Sequence, residues 1–129
     1  MPITPLFAAI FAIIYVFLSF GVIRFRIRNQ VSLGSGGHSD LEKAIRTHGN
    51  FAEYVPFTLL LLWFLEYFSL NRSLVFGLCL ALLASRIGHY VGMKSDSLLR
   101  FRQFGMIGTF LVILISAIAI LWSYISISI

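Results

Sequence analysis

The chain has 129 residues, of which 59% are hydrophobic and 12% charged, with a mean hydropathy of +0.93 and a net charge of +5. An average soluble domain is about 45–50% apolar and about 25% charged, so this chain has too few charged side chains to cover a water-facing surface. That excludes an ordinary cytosolic enzyme, a disordered tail and a nucleic-acid module.

The apolar residues come in bilayer-length runs. A spanning helix needs roughly 20 mostly apolar residues, and Ile3 to Ile23 supplies 21 without a charge. Arg24, Arg26 and Arg28 follow this run where a signal peptide would have a small-residue cleavage site, so it reads as a span. The connector from about Asn29 to Ser39 holds Gly34, Gly36 and Gly37 and has the composition of a flexible loop. Ser39-Asp40-Leu41-Glu42 has the form of a capping box, which predicts a helix start near Asp40. This second helix is polar for three turns and apolar from Phe51 to Phe68, where Glu53 and Glu66 interrupt it, and Pro56 is expected to kink it. Leu70 to Ser73 reads as a tight turn. Leu74 to Met93 forms a third apolar segment carrying Arg86 and His89, and Met106 to Ile129 is a fourth, 24 residues without a charge. The expectation is an all-α integral membrane protein, a four-transmembrane-helix bundle in a single domain over 1–129. Its helices are expected at about 3–28, 40–69, 73–93 and 104–127.

Charge sets the orientation. Arg24, Arg26, Arg28, Lys43, Arg46, Arg86, Lys94, Arg100 and Arg102 fall in the two connectors that share one side or in the helix ends flanking them, and only Arg72 falls at the other side. By the positive-inside rule the basic connectors face the cytoplasm and both termini lie outside.

Ionisable residues at membrane depth each cost about 2.5–3.5 kcal/mol or more unless paired or hydrated, so the chemistry is sought there. Glu42, Arg46, Asn50 and Glu53 follow at spacings of 4, 4 and 3. They form one helical stripe, with Tyr54 on its edge. Arg86, His89, Tyr90 and Met93 form another stripe, and Arg100 and Arg102 stand just before the fourth helix. Guanidiniums, carboxylates, an amide and phenols together suit a small zwitterionic or polyanionic ligand with several carboxylates. The histidines are scattered and no acidic pair has ligand spacing, so no metal is expected. On the structural reading, Arg46 pairs with Glu42 or Glu53 only to hold the bundle together. Cys79 reads as a packing residue, and Gly77, Ala81, Ala84 and Ser85 read as helix contacts. Trp63 and Tyr67, beside Glu66, read as an aromatic belt.

The run Arg46-Thr47-His48-Gly49-Asn50-Phe51-Ala52-Glu53-Tyr54-Val55-Pro56 resembles the R-x-x-x-N-x-x-E-Y-x-P signature of helix two in MAPEG proteins, the membrane-associated proteins in eicosanoid and glutathione metabolism. Four spans, a basic first connector, Arg86 and the offset of Arg100 extend the resemblance over nearly the whole chain, toward small bacterial members. It implies a homotrimer in the bacterial inner membrane, with glutathione as co-substrate at each subunit interface and a hydrophobic small molecule or lipid as its partner in the reaction. Carried over by position, Arg46, Asn50, Glu53 and Tyr54 hold the tripeptide, Arg24 reaches a carboxylate, Arg86 and His89 line the site, and Arg100 is the catalytic residue beside the sulfur. His89 and Met93 stand where relatives have tyrosines, and His48 where a glutamine is common. The implied activity is conjugation of glutathione to hydrophobic electrophiles, reduction of lipid hydroperoxides, or both.

Two other classes compete. A four-span efflux protein needs a membrane-embedded carboxylate in its first helix, which Ile3 to Ile23 does not contain, and a dual-topology channel needs a near-even basic distribution. A non-catalytic scaffold would use the polar stripe only to assemble a trimer.

Overall fold

In the computed structural model, which describes residues 1–68 and 71–128, the chain forms four long helices: α1 (Thr4–Asn29), α2 (Ser39–Tyr67), α3 (Arg72–Lys94) and α4 (Leu99–Ser128). A short 3-10 turn, Asp96–Leu98, leads into α4. By length and composition, α1, α3 and the Asp96–Ser126 segment are apolar enough to cross a membrane. Those three are the only such helices among the described residues. The apolar part of α2 is diluted by Glu53 and Glu66.

Three boundaries differ from the sequence expectation. The capping box is not made: His38 is the N-cap of α2 and offers no side-chain bond, and Ser39 is already helical. Asp40 instead turns back to accept from the Leu41 amide at 2.8 Å. That bond holds its carboxyl below the ordinary carboxylate range. Next, α4 starts at Leu99, ahead of the expected position near 104, because Asp96–Leu98 winds directly into it. Arg100 and Arg102 therefore sit in the first turn of a helix. At the expected Leu70–Ser73 turn, Leu70 lies outside the described residues, while Asn71 caps α3 by accepting from the Ser73 amide at 2.9 Å.

The helices pack as two pairs, α1 on α2 and α3 on α4, joined through α2, which touches both α3 and α4. The core runs along the inner stripes: Phe7 and Phe11 of α1, Phe51, Val55, Leu62 and Leu65 of α2, Val75, Leu78, Cys79 and Leu82 of α3, and Val112 of α4. Cys79 is buried in it. The ring contacts of Phe11 with Phe51 at 6.0 Å and of Tyr15 with His48 at 4.8 Å fix the antiparallel register of α1 on α2.

Each end of the bundle is tied down. At the end carrying the termini, the Glu66 carboxylate accepts from the Ile3 and Thr4 amides. A negative group is thereby placed on the positive end of α1. Arg72 donates to the Met1 carbonyl at 3.0 Å. At the basic end, the Arg26 guanidinium gathers the Val31, Ser32 and Gly34 carbonyls. The loop can make this turn because Gly34, Gly36 and Gly37 all have positive φ.

Of the small-residue face expected from the sequence, the close contact of α3 with α4 uses only Ser85. Gly77, Ala81 and Ala84 point outward, and a Cβ on Gly77 would meet nothing. The contact is made by Ser85, Gly88 and Gly92 against Phe101, Arg102, Gly105 and Gly108. A Cβ on Gly105 would lie 2.5 Å from the Ser85 carbonyl oxygen and 2.6 Å from the His89 amide. Neither is a flexible group that could move aside. Gly105→Ala is therefore expected to lower the melting temperature of the detergent-purified protein, with an overpacking cost of about 1–3 kcal/mol. Gly77→Ala should leave it unchanged; equal melting of the two variants would contradict the assigned contact.

Candidate functional site

The polar stripe on α2 is real as geometry, and the bundle divides it. Asn50 and Tyr54 turn toward α3 and α4, while Glu42, Arg46 and Glu53 remain on the open flank. Tyr54 packs edge-to-face on Phe110 of α4, with ring centroids 5.5 Å apart. Asn50 accepts at Oδ1 from an Arg86 terminal nitrogen at 2.8 Å.

Arg86 is the hub of this arrangement. It is buried, and its other terminal nitrogen donates to the Gly105 carbonyl at 3.0 Å and to the Thr109 hydroxyl. Thr109 also bonds back to the Gly105 carbonyl at 2.9 Å. The Arg86 Nε is buried without a partner among the described residues. One side chain of α3 thus ties α2 to α4 at membrane depth, where hydrogen bonds to its two terminal nitrogens offset part of the cost of burying a guanidinium. Because Asn50 presents its oxygen to Arg86, its amide nitrogen is left as a donor for the open flank. His89, one turn on from Arg86, is buried between α3 and α4 beside Gly105.

The charged members on the open flank are barely engaged. Arg46 meets only Glu42, at 3.7 Å, and both side chains are largely exposed. Glu53 and Arg100 are exposed and make no hydrogen bond or ion pair among the described residues. The register shows how deep Glu53 sits. Phe51 meets Phe11, and two residues further along α2, about 3 Å, Glu53 is level with the uncharged interior of α1.

Arg24 is separated from this group. It lines a groove between α1, α2 and α3 on the opposite flank of α2, together with Lys43, Lys94 and Met93. Neither that groove nor the smaller cavity beneath it is bordered by Arg46, Asn50, Glu53, Tyr54 or Arg100. A single subunit brings together Asn50, Tyr54 and Arg86, and presents Arg46, Glu53 and Arg100 without enclosing them.

Sequence reasoning did not find Thr109 or Glu66 as partners. Thr109 was legible in part: it is the first hydroxyl in an apolar run, one turn from Gly105. Glu66 gave no such signal, since its partners are main-chain amides far away in the chain.

Four helices, an apolar exterior and a polar stripe on the second helix define a small polytopic membrane protein. The sequence profile of the MAPEG family matches residues 4–122, and the chain belongs to that family. Inner membrane protein YecN of Escherichia coli (strain K12) is 37% identical over 120 residues, covering 93% of this chain and 91% of that protein. Inner membrane protein YecN of Escherichia coli O6:H1 (strain CFT073) matches with the same identity and coverage. No solved structure matches the chain.

Loss of the Arg86 hub should be felt across the bundle. Arg86→Met leaves Asn50, Gly105 and Thr109 short of a charged donor, and each hydrogen bond to a charged group is worth about 1.5–3 kcal/mol. The expected outcome is a clear fall in melting temperature, partly recovered in Arg86→Lys. A melt of Arg86→Met that matches the native protein would contradict the hub.

Proposed function

We propose that the protein is a glutathione-dependent enzyme of the inner membrane, active as a homotrimer in which all four helices span the bilayer. The basic connectors face the cytoplasm and the termini lie outside, as nine basic residues against one require. The observation that carries this reading is the uncompensated charge of Glu53, two turns from Arg46 on the open flank of α2 and level with the apolar interior of α1. Left against acyl chains, each charge would cost about 2.5–3.5 kcal/mol or more. A second copy placed over this flank, with a charged ligand between the two, removes that cost.

Glutathione has the matching groups: two carboxylates, an amine, two amides and a thiol. Arg46 takes a carboxylate, Glu53 takes the glutamyl amine, and the free donor of Asn50 and the Tyr54 hydroxyl take the peptide groups. Arg86 acts as a positioning residue, because it sets which way the Asn50 amide faces, and His89 packs behind it. Arg24 lies across α2 from its own stripe, so it reaches a glutathione carboxylate only from a neighbouring copy.

Arg100 stands in the first turn of α4 with its guanidinium unengaged among the described residues. It is the catalytic residue in this reading. A thiol with a pKa near 8.5 is only a few per cent thiolate at neutral pH, and the thiolate is the nucleophile. A guanidinium keeps its charge and lowers a neighbouring thiol pKa by about 1–3 units. The thiol proton passes to water. The sulfur lone pair then forms the new S–C bond on a hydrophobic electrophile and expels a leaving group, such as halide, with its electron pair. With a lipid hydroperoxide, the thiolate takes the distal oxygen and releases the alcohol after protonation. A second glutathione then displaces water from the sulfenic acid to give the disulfide.

Arg100→Leu should leave glutathione bound and abolish the thiolate absorbance at the ultraviolet edge. It should also cut turnover with an aryl halide roughly tenfold or more at pH 7; undiminished turnover would refute the role. Arg46→Ala should weaken saturable glutathione binding roughly 10–100-fold. An absence of saturable binding to the native protein would favour the non-catalytic scaffold.

A further inference from the structure

The flank of α2 away from the polar stripe carries a second site. Two cavities between α1, α2 and α3 share Phe17, Leu18, Thr47 and Tyr90, and so form one continuous groove. Its outer part, about 590 Å³, has Arg24 of α1, Lys43 of α2 and Lys94 of α3 on its lining, with Phe17, Phe20 and Phe25 along one wall. Its inner part, about 180 Å³, reaches Ile14, Phe51 and Ile87, with Arg86 and His89 on the α3 wall. The groove is thus cationic at the membrane surface and mainly apolar below.

Charge and depth specify the occupant. Three cations and one acid, Asp40, line the outer part. Arg24 has no partner among the described residues. Lys43 is 3.5 Å from Asp96, a carboxylate 92% exposed to solvent, and such a contact contributes little. Lys94 rests over the Tyr90 ring at 4.8 Å, which leaves its charge at the groove edge. From Arg24 to Ile14 the groove follows ten residues of α1, or about 15 Å at the helical rise. That is half of the roughly 30 Å hydrocarbon layer, the depth of a single leaflet. A second spanning helix would need a trough along the whole bundle, and this one stops at Ile14.

We infer that this groove holds one acyl chain of an anionic phospholipid from the leaflet at the basic end, with its headgroup phosphate held by Lys43 and Lys94. The chain lies along Phe17, Leu18 and Phe51, and the headgroup joins the loop ends of α2 and α3. Arg24, Arg86 and His89 also line this groove and belong to the glutathione reading, so the headgroup is assigned to the two lysines, which that reading does not use. Gly21 offers a direct test, because it lines the groove and a Cβ there meets nothing within 4 Å.

The full chain, purified in neutral detergent, is exposed to equimolar phosphatidylglycerol and phosphatidylcholine and examined by native mass spectrometry. The expected result is retention of phosphatidylglycerol over phosphatidylcholine by roughly tenfold or more. The double variant Lys43→Gln, Lys94→Gln should bring the two lipids to near parity. Gly21→Trp should displace both lipids while the helical circular dichroism is kept. Equal retention of the two lipids by the native chain would overturn the inference, as would native-like retention by Gly21→Trp. Displacement of phosphatidylglycerol by free glycerol phosphate would mean that the headgroup alone binds, which would overturn the acyl-chain assignment. A changed assembly mass in Gly21→Trp without lipid loss would mean that the groove receives another copy of the chain, and would overturn it too. Glutathione binding is measured separately, so a failure of either reading is visible without the other.

Discussion

A charge placed at membrane depth must find a partner, and this protein is organised by how it meets that requirement. Arg86 meets it within one chain: Asn50 on one side and Gly105 and Thr109 on the other occupy its terminal nitrogens. Glu66 meets it at the opposite end by accepting from the first amides of α1. Arg46 meets it only through an exposed contact with Glu42, and Glu53 does not meet it among the described residues. The fold solves the problem for the residues that lock the helices together and leaves it open for those that face outward. Structural and functional polar residues thus separate by whether their partners are already present.

The two flanks of α2 follow from the same division. On one flank Asn50 and Tyr54 are fixed by α3 and α4, which gives the outward charges of the stripe a rigid support. On the other, α1 leans on α2 through Phe11, Tyr15 and His48. The interhelical contact of Ser19 with His48 at 3.0 Å strengthens that pairing. Between α1 and α3 the bundle is looser and the groove opens, with basic residues concentrated at its surface end. Rigid polar geometry and lipid-facing adaptability are therefore kept apart by one helix.

Much of this organisation is legible in the amino-acid sequence. The long uncharged runs specify α1 and α4, and the spacing of Glu42, Arg46, Asn50 and Glu53 alone places them on one side of a helix. What is not legible depends on neighbours. Helix three has small residues on two stripes, Gly77-Ala81-Ala84 and Ser85-Gly88-Gly92, of which the expected contact takes the first together with Ser85, and its own periodicity does not say which one meets another helix. The choice is made by Gly105 and Gly108 on α4, whose missing side chains admit the second stripe. The capping box fails for a similar reason: Ser39 and Glu42 have the right spacing, yet His38 already carries the helix start and its carbonyl accepts from Glu42 at 2.9 Å. Arg86 shares a stripe with ligand-type residues, and only its depth in the bundle marks it as a support.

The central claim is that the open flank of α2 faces a hydrated cleft closed by another copy of the chain, and not acyl chains. A spin label attached through Glu53→Cys, in a Cys79→Ala background and reconstituted in lipid bilayers, tests it directly. The account requires relaxation by a water-soluble nickel complex to exceed relaxation by oxygen, because a cleft that admits a charged tripeptide admits water. Relaxation dominated by oxygen, as for a label lying among lipid tails, would contradict it.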